Sequence, residues 1–353
     1  MKRCKNLYED LASFENLYHA ARKAQCGKRY TPSTLAFNHN LEYELMQMRE
    51  ELRAKTYTPG SFRTFLIYDA KPRLISAAPY RDRIVHHAIC NIIEPLYEPA
   101  FIFDSYACRP GKGTHAAVDR FTSFARKYDY VLKCDIQKYF PSVDHEILKQ
   151  VLRRKIGCQD TLWLLDTIID NSIEPSNPPS YFVGDDLFSP WARARGLPIG
   201  NQTSQFFANV YLNAFDHFVK ERLQQHAYIR YVDDFVVFAD DKATLWELLH
   251  PIEDFLARSL RLKIHQKKAQ VCPTTEGVDF LGYRVYPEHR RLRRSSGVRF
   301  QRRLHKMQQD YQAGHLAPAH IQQRIASWMG HAKHADTYGL RRSLLEGAVF
   351  RRA

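Results

Sequence analysis

The sequence predicts an α+β fold in which helical regions lie before and after a set of short antiparallel strands. Apolar residues recur at helical spacing through residues 1–60, which indicates amphipathic helices. Residues 229–238 place β-branched and aromatic side chains on both sides of Asp233 and Asp234, a pattern typical of a tight β-hairpin. The basic last segment, 290–353, again has the pattern of helices.

The charge of the chain is concentrated near its end. The 353 residues are 44% hydrophobic, enough to form a core, and carry a net charge of +14. Residues 284–353 contain fifteen Lys and Arg against four Asp and Glu. A generally basic surface would spread this excess evenly along the chain. The concentration therefore indicates a polyanionic partner, and nucleic acid is the expected one.

Cysteine content and hydropathy exclude several classes of protein. Seven cysteines are scattered without a Cys-X-X-Cys pair, which supports neither a zinc knuckle nor a disulfide framework. The N-terminus lacks the pattern of a secretory signal, and no apolar run approaches the roughly 20 residues of a membrane span. We therefore expect a cytoplasmic protein that has no membrane partner.

The pattern changes from helices to strands at Phe62. Strands are expected at Phe65–Tyr68 and Leu74–Ile75, with Lys71 and Arg73 at the turn between them. An ammonium and a guanidinium together suit phosphate oxygens, although two surface cations on a hairpin are the simpler alternative. A helix is expected to follow from Ile84 to about Tyr97, on which His86 and His87 are interpreted as structural.

A glycine-rich basic turn, residues 103–115, enters the next helix. Its spacing does not match the Gly-X-X-X-X-Gly-Lys-Ser/Thr phosphate loop, but its glycines would allow close backbone approach to a nucleic-acid strand. Further along the chain, the periodicity predicts helices at 146–156, 160–170, 206–223 and 245–260. Residues 171–195 are rich in proline, serine and asparagine and are expected to be irregular.

Carboxylates terminate two predicted strands that lie far apart in the sequence. Asp135 ends the apolar strand at 131–135, and Asp233 and Asp234 occupy the hairpin tip. Adjacent buried acids repel each other, and Mg²⁺ removes that cost because it prefers hard oxygen ligands. Two Mg²⁺ about 3.5–4 Å apart that share carboxylates form a phosphoryl-transfer site. The alternative is a solvated turn, where Asp is common.

Four sequence boxes follow one another in a characteristic order. They are Asp135 with Phe140 five residues later, Gly196–Gln205, Tyr231–Asp234 and Phe280–Tyr283. With these boxes the chain resembles the reverse transcriptases, or RNA-directed DNA polymerases, over nearly its whole length. The resemblance implies a right-hand polymerase with fingers, a palm that contains an antiparallel sheet, and a helical thumb.

The resemblance also implies a division into domains. The expected parts are a helical N-terminal extension (1–60), fingers (61–130), the first catalytic strand of the palm (131–149), fingers or an insertion (150–195), the palm again (196–289) and a basic helical thumb (290–353). Because the chain ends about where a thumb would end, we expect no maturase or endonuclease extension.

Roles for individual residues come from the same resemblance. Asp135 and Asp233 would bind two Mg²⁺ ions, Asp234 would add charge or a weaker ligand, and the Ile136 carbonyl would complete one sphere, with Mn²⁺ as an alternative ion. The expected nucleotide-binding residues are Lys71, Arg73, Phe140 as the sugar gate, Ile199, Gly200, Gln205 and Lys268 near the leaving pyrophosphate. The expected nucleic-acid-binding residues are Arg109, Lys112, Arg290, Arg291, Arg293, Arg294, Arg299, Arg302 and Arg303.

The box at Gly196–Gln205 departs from most reverse transcriptases. It has Ile199-Gly200 where they usually have Gln-Gly, and Ser204-Gln205 where they usually have Ser-Pro. This variant resembles the diversity-generating retroelement branch, whose enzymes copy a template repeat and misincorporate opposite adenine. The implied partners are template RNA, primer and cDNA, deoxynucleoside triphosphates and a small basic oligomeric accessory variability protein.

Other functions remain as alternatives. Group II intron proteins and retron reverse transcriptases are the nearest enzymes, although the Val-Thr-Gly triplet of retron thumbs is absent. A catalytically inert RNA-binding scaffold would be expected to lose an aspartate, and all three aspartates are present. His331 and His334 have no evident carboxylate or cysteine partner, so helix packing is expected there rather than a metal site.

Overall fold

The computed structural model of the protein describes residues 3–68, 72–172 and 180–352. Within these ranges, helices accompany nine short strands that form three antiparallel sheets. The predicted α+β class is therefore confirmed. Lys71 and residues 173–179 of the predicted irregular segment lie outside the described residues.

The first part of the chain is helical and is followed by a hairpin. The elements are α1 (Tyr8–Leu11), α2 (Phe14–Ala24), α3 (Pro32–His39), α4 (Leu41–Ala54), β1 (Arg63–Tyr68), β2 (Pro72–Ala77) and α5 (Tyr80–Tyr97). Small buried residues on α2, including Ala20 and Ala21, allow this helix to pack closely on α5. The Tyr80 hydroxyl on α5 donates a hydrogen bond to the Ala21 carbonyl at 3.2 Å. The N-terminal helices therefore share a core with α5.

The middle of the chain carries the strands that position the carboxylates. Its elements are α6 (Thr114–Ala125), β3 (Tyr130–Asp135), α7 (Tyr139–Ser142), α8 (His145–Lys155), α9 (Gln159–Asp170), α10 (Ser189–Ala192), α11 (Gln202–His217), β4 (Tyr228–Tyr231), β5 (Asp234–Ala239), α12 (Lys242–Leu260) and β6 (Gln270–Pro273). A π-helical turn, Phe218–Arg222, extends α11. The helix expected at 206–223 thus begins four residues earlier, at Gln202.

The central sheet has the strand order β4-β5-β3-β6, and all its pairs are antiparallel. Alternate residues of β3 point to opposite faces. Leu132 and Cys134 join the core formed with α11 and α12, whereas Val131 joins Phe121 of α6 in a second core. Because both faces are covered, most residues of these strands are apolar, and the polar residues inside β3 and β4 are Lys133, whose Nζ donates to the Asp279 carbonyl, and Arg230.

A three-stranded sheet and three helices form the last part of the chain. Strands β7 (Val278–Phe280), β8 (Tyr283–Val285) and β9 (Arg290–Leu292) form the sheet, and α13 (Arg294–Gln312), α14 (Pro318–Ala332) and α15 (Tyr338–Glu346) follow it. The Phe300 ring of α13 stacks on the Trp328 ring of α14 at 3.8 Å between centroids. Around this stack the helices have a small core of their own. No helix in the described ranges is both long enough and apolar enough to cross a membrane.

Candidate active site

Asp135 and Asp234 lie directly opposite each other on neighbouring strands. They are Cα partners at the end of the β3–β5 ladder. The backbone N–H of Ile136 donates to the Asp233 carbonyl at 3.1 Å, which fastens the tip of the β4–β5 hairpin to the end of β3. The structure therefore brings Asp135, Asp233 and Asp234 together, although they come from two separate parts of the sequence.

The hairpin turn requires an unusual backbone at Val232. Its φ of +57° lies in the left-handed region, which is unfavourable for a β-branched residue. Arg230 holds the turn in this conformation, because its Nη1 donates a hydrogen bond to the Val232 carbonyl at 3.1 Å. Strain of this kind persists only where the surrounding structure holds it, and here it places Asp233 at the tip of the turn.

A buried polar network under the turn was not predicted from the sequence. The Arg230 side chain is fully buried and pairs with Asp216 of α11, while its Nη1 also donates to Asn209 Oδ1 at 3.2 Å. Asp216 raises the pKa of Arg230, although burial opposes this. The available sequence signal was a pair of polar residues seven positions apart on the apolar helix α11, which places both on one face.

The pKa values of the two hairpin carboxylates, Asp233 and Asp234, are raised. Burial, together with the charges of the adjacent Asp234 and the nearby Asp135, raises the pKa of Asp233 to about 6, and Lys268 opposes the change. Burial and the charge of Asp135 also raise the pKa of Asp234, although Lys133 and Lys268 lower it. This is the electrostatic cost expected of clustered acids. A cation at this cluster would lower that cost.

Lys268 already supplies one positive charge. Its Nζ lies 2.5 Å from Asp135 Oδ2. The lysine ends the short 3₁₀ turn Gln266–Lys268, and the backbone N–H of His265 donates to the Asp135 carbonyl at 2.8 Å. Asp135 therefore holds this segment through its backbone carbonyl and contacts the Lys268 side chain through its carboxylate.

The donor set fits a hard divalent cation by its chemistry. Within residues 3–68, 72–172 and 180–352, no three His, Cys, Asp or Glu side chains form a ready-made metal cage. The clustered donors are nevertheless carboxylate oxygens, which Mg²⁺ prefers. The Lys268 ammonium shows that the Asp135 carboxylate accepts a cation in this position. The residues that would hold metal are thus present, while the coordination geometry is not formed by the side chains alone.

The box at Gly196–Gln205 is anchored to the β1–β2 hairpin. The Ser76 N–H of β2 donates to the Ile199 carbonyl at 3.0 Å. Gly200 has φ +116°, and a Cβ there would lie 2.9 Å from Ile75 Cγ2, so both backbone and space require glycine. Gln205 lies one turn further on, in α11. These contacts tie the box to the strand that also carries Arg73.

Phe140 and Arg73 differ in their surroundings. Phe140 lies on the short helix α7 and is half-buried, and its carbonyl accepts a hydrogen bond from the Leu197 N–H at 2.9 Å. The first catalytic box is thereby joined to the box at Gly196–Gln205. Arg73 is exposed on β2, opposite Ile67. Its partner in the prediction, Lys71, lies outside the described residues.

Arg109 is buried and paired within the protein, which does not suit the expected contact with nucleic acid. Its side chain is only 6% exposed and forms a two-point pair with Glu98. Its Nη1 also donates to the carbonyls of Ile102 and Ser105. With these groups satisfied inside the protein, we correct the prediction and assign Arg109 to bracing the loop. Lys112 remains half-exposed, with its Nζ 3.4 Å from the centre of the Phe103 ring.

The C-terminal cations divide into three groups. Arg290 pairs with Asp119 of α6 at 2.7 Å, and Arg293 pairs with Asp279 of β7 at 2.8 Å, so both bind other parts of the protein. Arg299 and Arg303 line a cavity of about 810 Å³ between α13 and α14. The remaining predicted cations are exposed: Arg291, Arg294 and Arg302.

Comparison with known proteins identifies relatives of this chain. The family model described as reverse transcriptase (RNA-dependent DNA polymerase) matches residues 68–285. Protein YkfC of Escherichia coli K12 is 28% identical over 285 residues, which cover 69% of this chain and 72% of YkfC. The group II intron-encoded protein LtrA of Lactococcus lactis is 24% identical over 181 residues, which cover 50% of this chain and 28% of LtrA.

Among solved structures, telomerase from Candida albicans aligns with a TM-score of 0.47 at 12% identity, over 83% of this chain and 56% of that chain. The family match carries the assignment, because it spans more than half of the residues. It includes all four boxes and the three clustered aspartates. This chain belongs to the reverse transcriptase family of RNA-dependent DNA polymerases.

Proposed function

We propose that this protein copies an RNA template into DNA. A primer 3′-hydroxyl would attack the α-phosphate of a deoxynucleoside triphosphate and release pyrophosphate. The observation that carries the proposal is the opposition of Asp135 and Asp234 across β3 and β5, with Asp233 at the adjoining tip. Rigid strands hold such a constellation better than a loop does.

The aspartates would act by holding divalent metal. Asp135 and Asp233 are the proposed ligands of both Mg²⁺ ions, with Mn²⁺ as an alternative, and Asp234 and the Ile136 carbonyl supplement them. Bound metal would neutralise phosphate charge and orient the reacting oxygens. The protein's own contribution is position: β3 and the strained Val232 turn keep the carboxylates together.

Lys268 is proposed to act on the leaving group. Its Nζ rests on Asp135 Oδ2, beside the carboxylates at which pyrophosphate would be released. An ammonium there would stabilise or protonate the departing oxygen. If Asp135 held a divalent metal, that ion would compete with the Lys268 ammonium for the carboxylate, and the ammonium would be available for this contact.

The other proposed contacts concern the nucleotide and the nucleic acid. Arg73 and Lys71 would bind the triphosphate, Phe140 would exclude a 2′-hydroxyl, and Ile199-Gly200 with Gln205 would lie against the nascent base pair. Lys112 and the exposed thumb cations would bind template and primer. The division into N-terminal extension, fingers, palm and thumb stays as proposed from the sequence.

The biological setting is proposed to be a diversity-generating retroelement, with mutagenic retrohoming that depends on an accessory variability protein. Ile199-Gly200 and Ser204-Gln205 support it, because this variant of the box is the one associated with adenine-directed errors. A group II intron setting is the second candidate. It is favoured by the similarity to LtrA, whose name describes a group II intron-encoded protein.

Primer extension tests the activity. With Mg²⁺, an RNA template and a DNA primer, the wild-type protein should extend the primer, and Asp233→Asn should not. RNA binding should remain nearly intact in the variant, because a metal ligand is lost and no fold element is removed. Substantial extension by Asp233→Asn would contradict the two-metal assignment. Absence of extension by the wild type would contradict the proposed function itself.

A further inference from the structure

The side chain of Asn209 joins three segments that are separate in the sequence. Asn209 lies on α11, seven residues after the first residue of that helix, and is only 3% exposed. Its Nδ2 donates to the Ala107 carbonyl at 2.8 Å, and its Oδ1 accepts from Arg230 Nη1 at 3.2 Å. The helix, the basic turn at 103–115 and the β4–β5 hairpin therefore meet at one buried amide.

The two partners of Asn209 fix the direction in which its amide faces. The Ala107 carbonyl can only accept a hydrogen bond, and the Arg230 guanidinium can only donate. The amide nitrogen must therefore face Ala107, and the amide oxygen must face Arg230. An ionised carboxylate could not donate to Ala107, and an aliphatic side chain could satisfy neither partner. An amide suits both.

Asn209 also helps to orient the Arg230 guanidinium. Asp216 accepts from Nε and Nη2, both at 2.7 Å. Nη1 donates to Asn209 Oδ1 and, at 3.1 Å, to the Val232 carbonyl. Because the guanidinium is planar and its donors have fixed directions, Asp216 and Asn209 together hold it in the orientation that reaches Val232. The strained turn before Asp233 is held through this contact.

The backbone of Arg230 is held by the same basic turn that Asn209 contacts. The Arg230 N–H donates to the Asp104 carbonyl, and the Tyr106 N–H donates to the Arg230 carbonyl, both at 3.0 Å. The residue after Tyr106 is Ala107, whose carbonyl accepts from Asn209. The basic turn therefore holds the main chain of Arg230, α11 holds its side chain, and Asn209 links these two segments.

Small displacements of the hairpin turn would matter for the reaction, because a misplacement of about 1 Å can cost a factor of about 100 in rate. Two contacts hold the turn that carries Asp233. One is the hydrogen bond from the Ile136 N–H to the Asp233 carbonyl, and the other is the bond from Arg230 to the Val232 carbonyl. Without Asn209, one of the groups that direct Arg230 Nη1 towards Val232 is lost.

We propose that Asn209 is a positioning residue for DNA synthesis. It acts on the carboxylates through Arg230, which holds the turn that presents Asp233. The inference rests on the proposed function for its effect on rate. The arrangement of the turn can be measured without catalysis, so the two can be tested separately.

Hydrogen exchange at the Ile136 amide reports on the turn, because this N–H donates to the Asp233 carbonyl. Without divalent ions, Asn209→Leu should speed this exchange about tenfold, the change associated with a lost hydrogen bond to a charged group. The matched control is Asn213→Leu. Asn213 is the same residue type on the same helix, and its Oδ1 has no hydrogen-bond partner in the described part of the chain. This control should change the exchange by less than about twofold.

Primer extension separates positioning from binding. Asn209→Leu should lower kcat about 100-fold and leave KM for the deoxynucleotide within about threefold, because the orientation of the carboxylates is lost while the nucleotide contacts remain. A merely structural role would lower the melting temperature and the folded fraction but would leave kcat per folded molecule unchanged. That result would overturn the proposal.

A mutant cycle tests the route through Arg230. In the Asp216→Leu/Arg230→Met background the guanidinium is absent, so adding Asn209→Leu should change Ile136 exchange and kcat by less than about twofold. A full additional loss in this background would show that Asn209 acts independently of Arg230 and would overturn the proposal.

If Asn209→Leu does not fold, Asn209→Asp and Asn209→Ala provide the comparison. The carboxylate of Asn209→Asp still accepts from Arg230, so its Ile136 amide should exchange more slowly than that of Asn209→Ala. Equal exchange in these two variants would contradict the inference. Absence of primer extension by the wild type would instead contradict the proposed function.

Discussion

Arg230 and Asp216 form a two-point ion pair that has no solvent exposure. The Nε–Oδ1 and Nη2–Oδ2 distances are both 2.7 Å. Arg230 also holds the Val232 carbonyl of the hairpin turn. This one side chain therefore ties α11 to the turn that carries Asp233, and the geometry of the carboxylates depends on it.

Removal of one partner of this pair should destabilise the fold. Asp216→Asn leaves the Arg230 charge buried and unpaired, so the free energy of unfolding should fall by about 3–5 kcal/mol. Urea denaturation followed by circular dichroism measures the change. The double variant Asp216→Leu/Arg230→Met, which removes both charges, should recover much of the loss. A loss below about 1 kcal/mol for Asp216→Asn would show that the pair is not needed.

The raised pKa of Asp233 predicts that removing its charge stabilises the fold, and that the gain depends on pH. Because its pKa is about 6 in the folded protein and near 3.9 when unfolded, the folded state binds the proton more tightly. Ionisation therefore destabilises the fold as pH rises from about 4 to 6, and the full cost is present above pH 6. In EDTA, Asp233→Asn should gain about 1–3 kcal/mol of unfolding free energy at about pH 7.5 and nothing near pH 4. The exposed Asp240→Asn serves as control, and a pH-independent gain would contradict the assignment.

Phe140→Ala should admit ribonucleotides. A rigid aromatic ring beside the sugar would clash with a 2′-hydroxyl, and truncation opens that space. The half-buried ring of Phe140 packs against the core, and the backbone bond from Leu197 fixes α7 beside the box at Gly196–Gln205. The ratio of ribo- to deoxynucleotide incorporation measures the effect, with Phe103→Ala, an exposed aromatic, as control. An unchanged ratio would place Phe140 among purely structural residues.

The effects of substituting the C-terminal arginines should depend on whether each one is paired within the protein. Arg294→Gln/Arg302→Gln removes two exposed cations, so template–primer binding should weaken and the log–log salt slope should fall by about 0.7–0.9 for each lost phosphate contact. Arg293→Gln should act differently, because it leaves Asp279 unpaired. Anisotropy titrations over a range of salt concentrations measure the slope. Weaker binding with an unchanged slope in the double variant would show that these arginines are structural.

Ile199→Gln should lower misincorporation opposite template adenine more than opposite other bases. A glutamine amide can hydrogen-bond the incoming nucleotide and restrain its geometry, whereas isoleucine offers only apolar contact. One such bond is worth about 1 kcal/mol, close to a tenfold change in discrimination. Sequencing of cDNA copied from one RNA by both enzymes measures the error rates. An adenine error rate equal to that of the wild type would show that Ile199 does not set it, and would assign any adenine bias to another residue, such as Gln205, or to the proposed accessory protein.

Local patterns were sufficient to predict the elements that carry the carboxylates. The strand that ends at Asp135 and the hairpin at Asp233-Asp234 were predicted because β-branched and aromatic runs indicate strands, and clustered acids at strand ends indicate a site. Each box is a short contiguous segment that can be recognised in the sequence, and the order of the four boxes identified the family. These features depend only on neighbouring residues, so the sequence alone determined them.

Other features were decided by tertiary structure. Strand register places Asp234 opposite Asp135, the fold brings Lys268 onto Asp135, and α11 supplies Asp216 to Arg230. Arg109 also depends on tertiary structure. Its segment predicted a contact with nucleic acid, but the fold buries its side chain in an ion pair with Glu98. Charge type and periodicity are properties of a segment, whereas the partner of a charge depends on which distant segment packs against it. Only the folded chain determines whether a cation is left for a nucleic acid or is already paired within the protein.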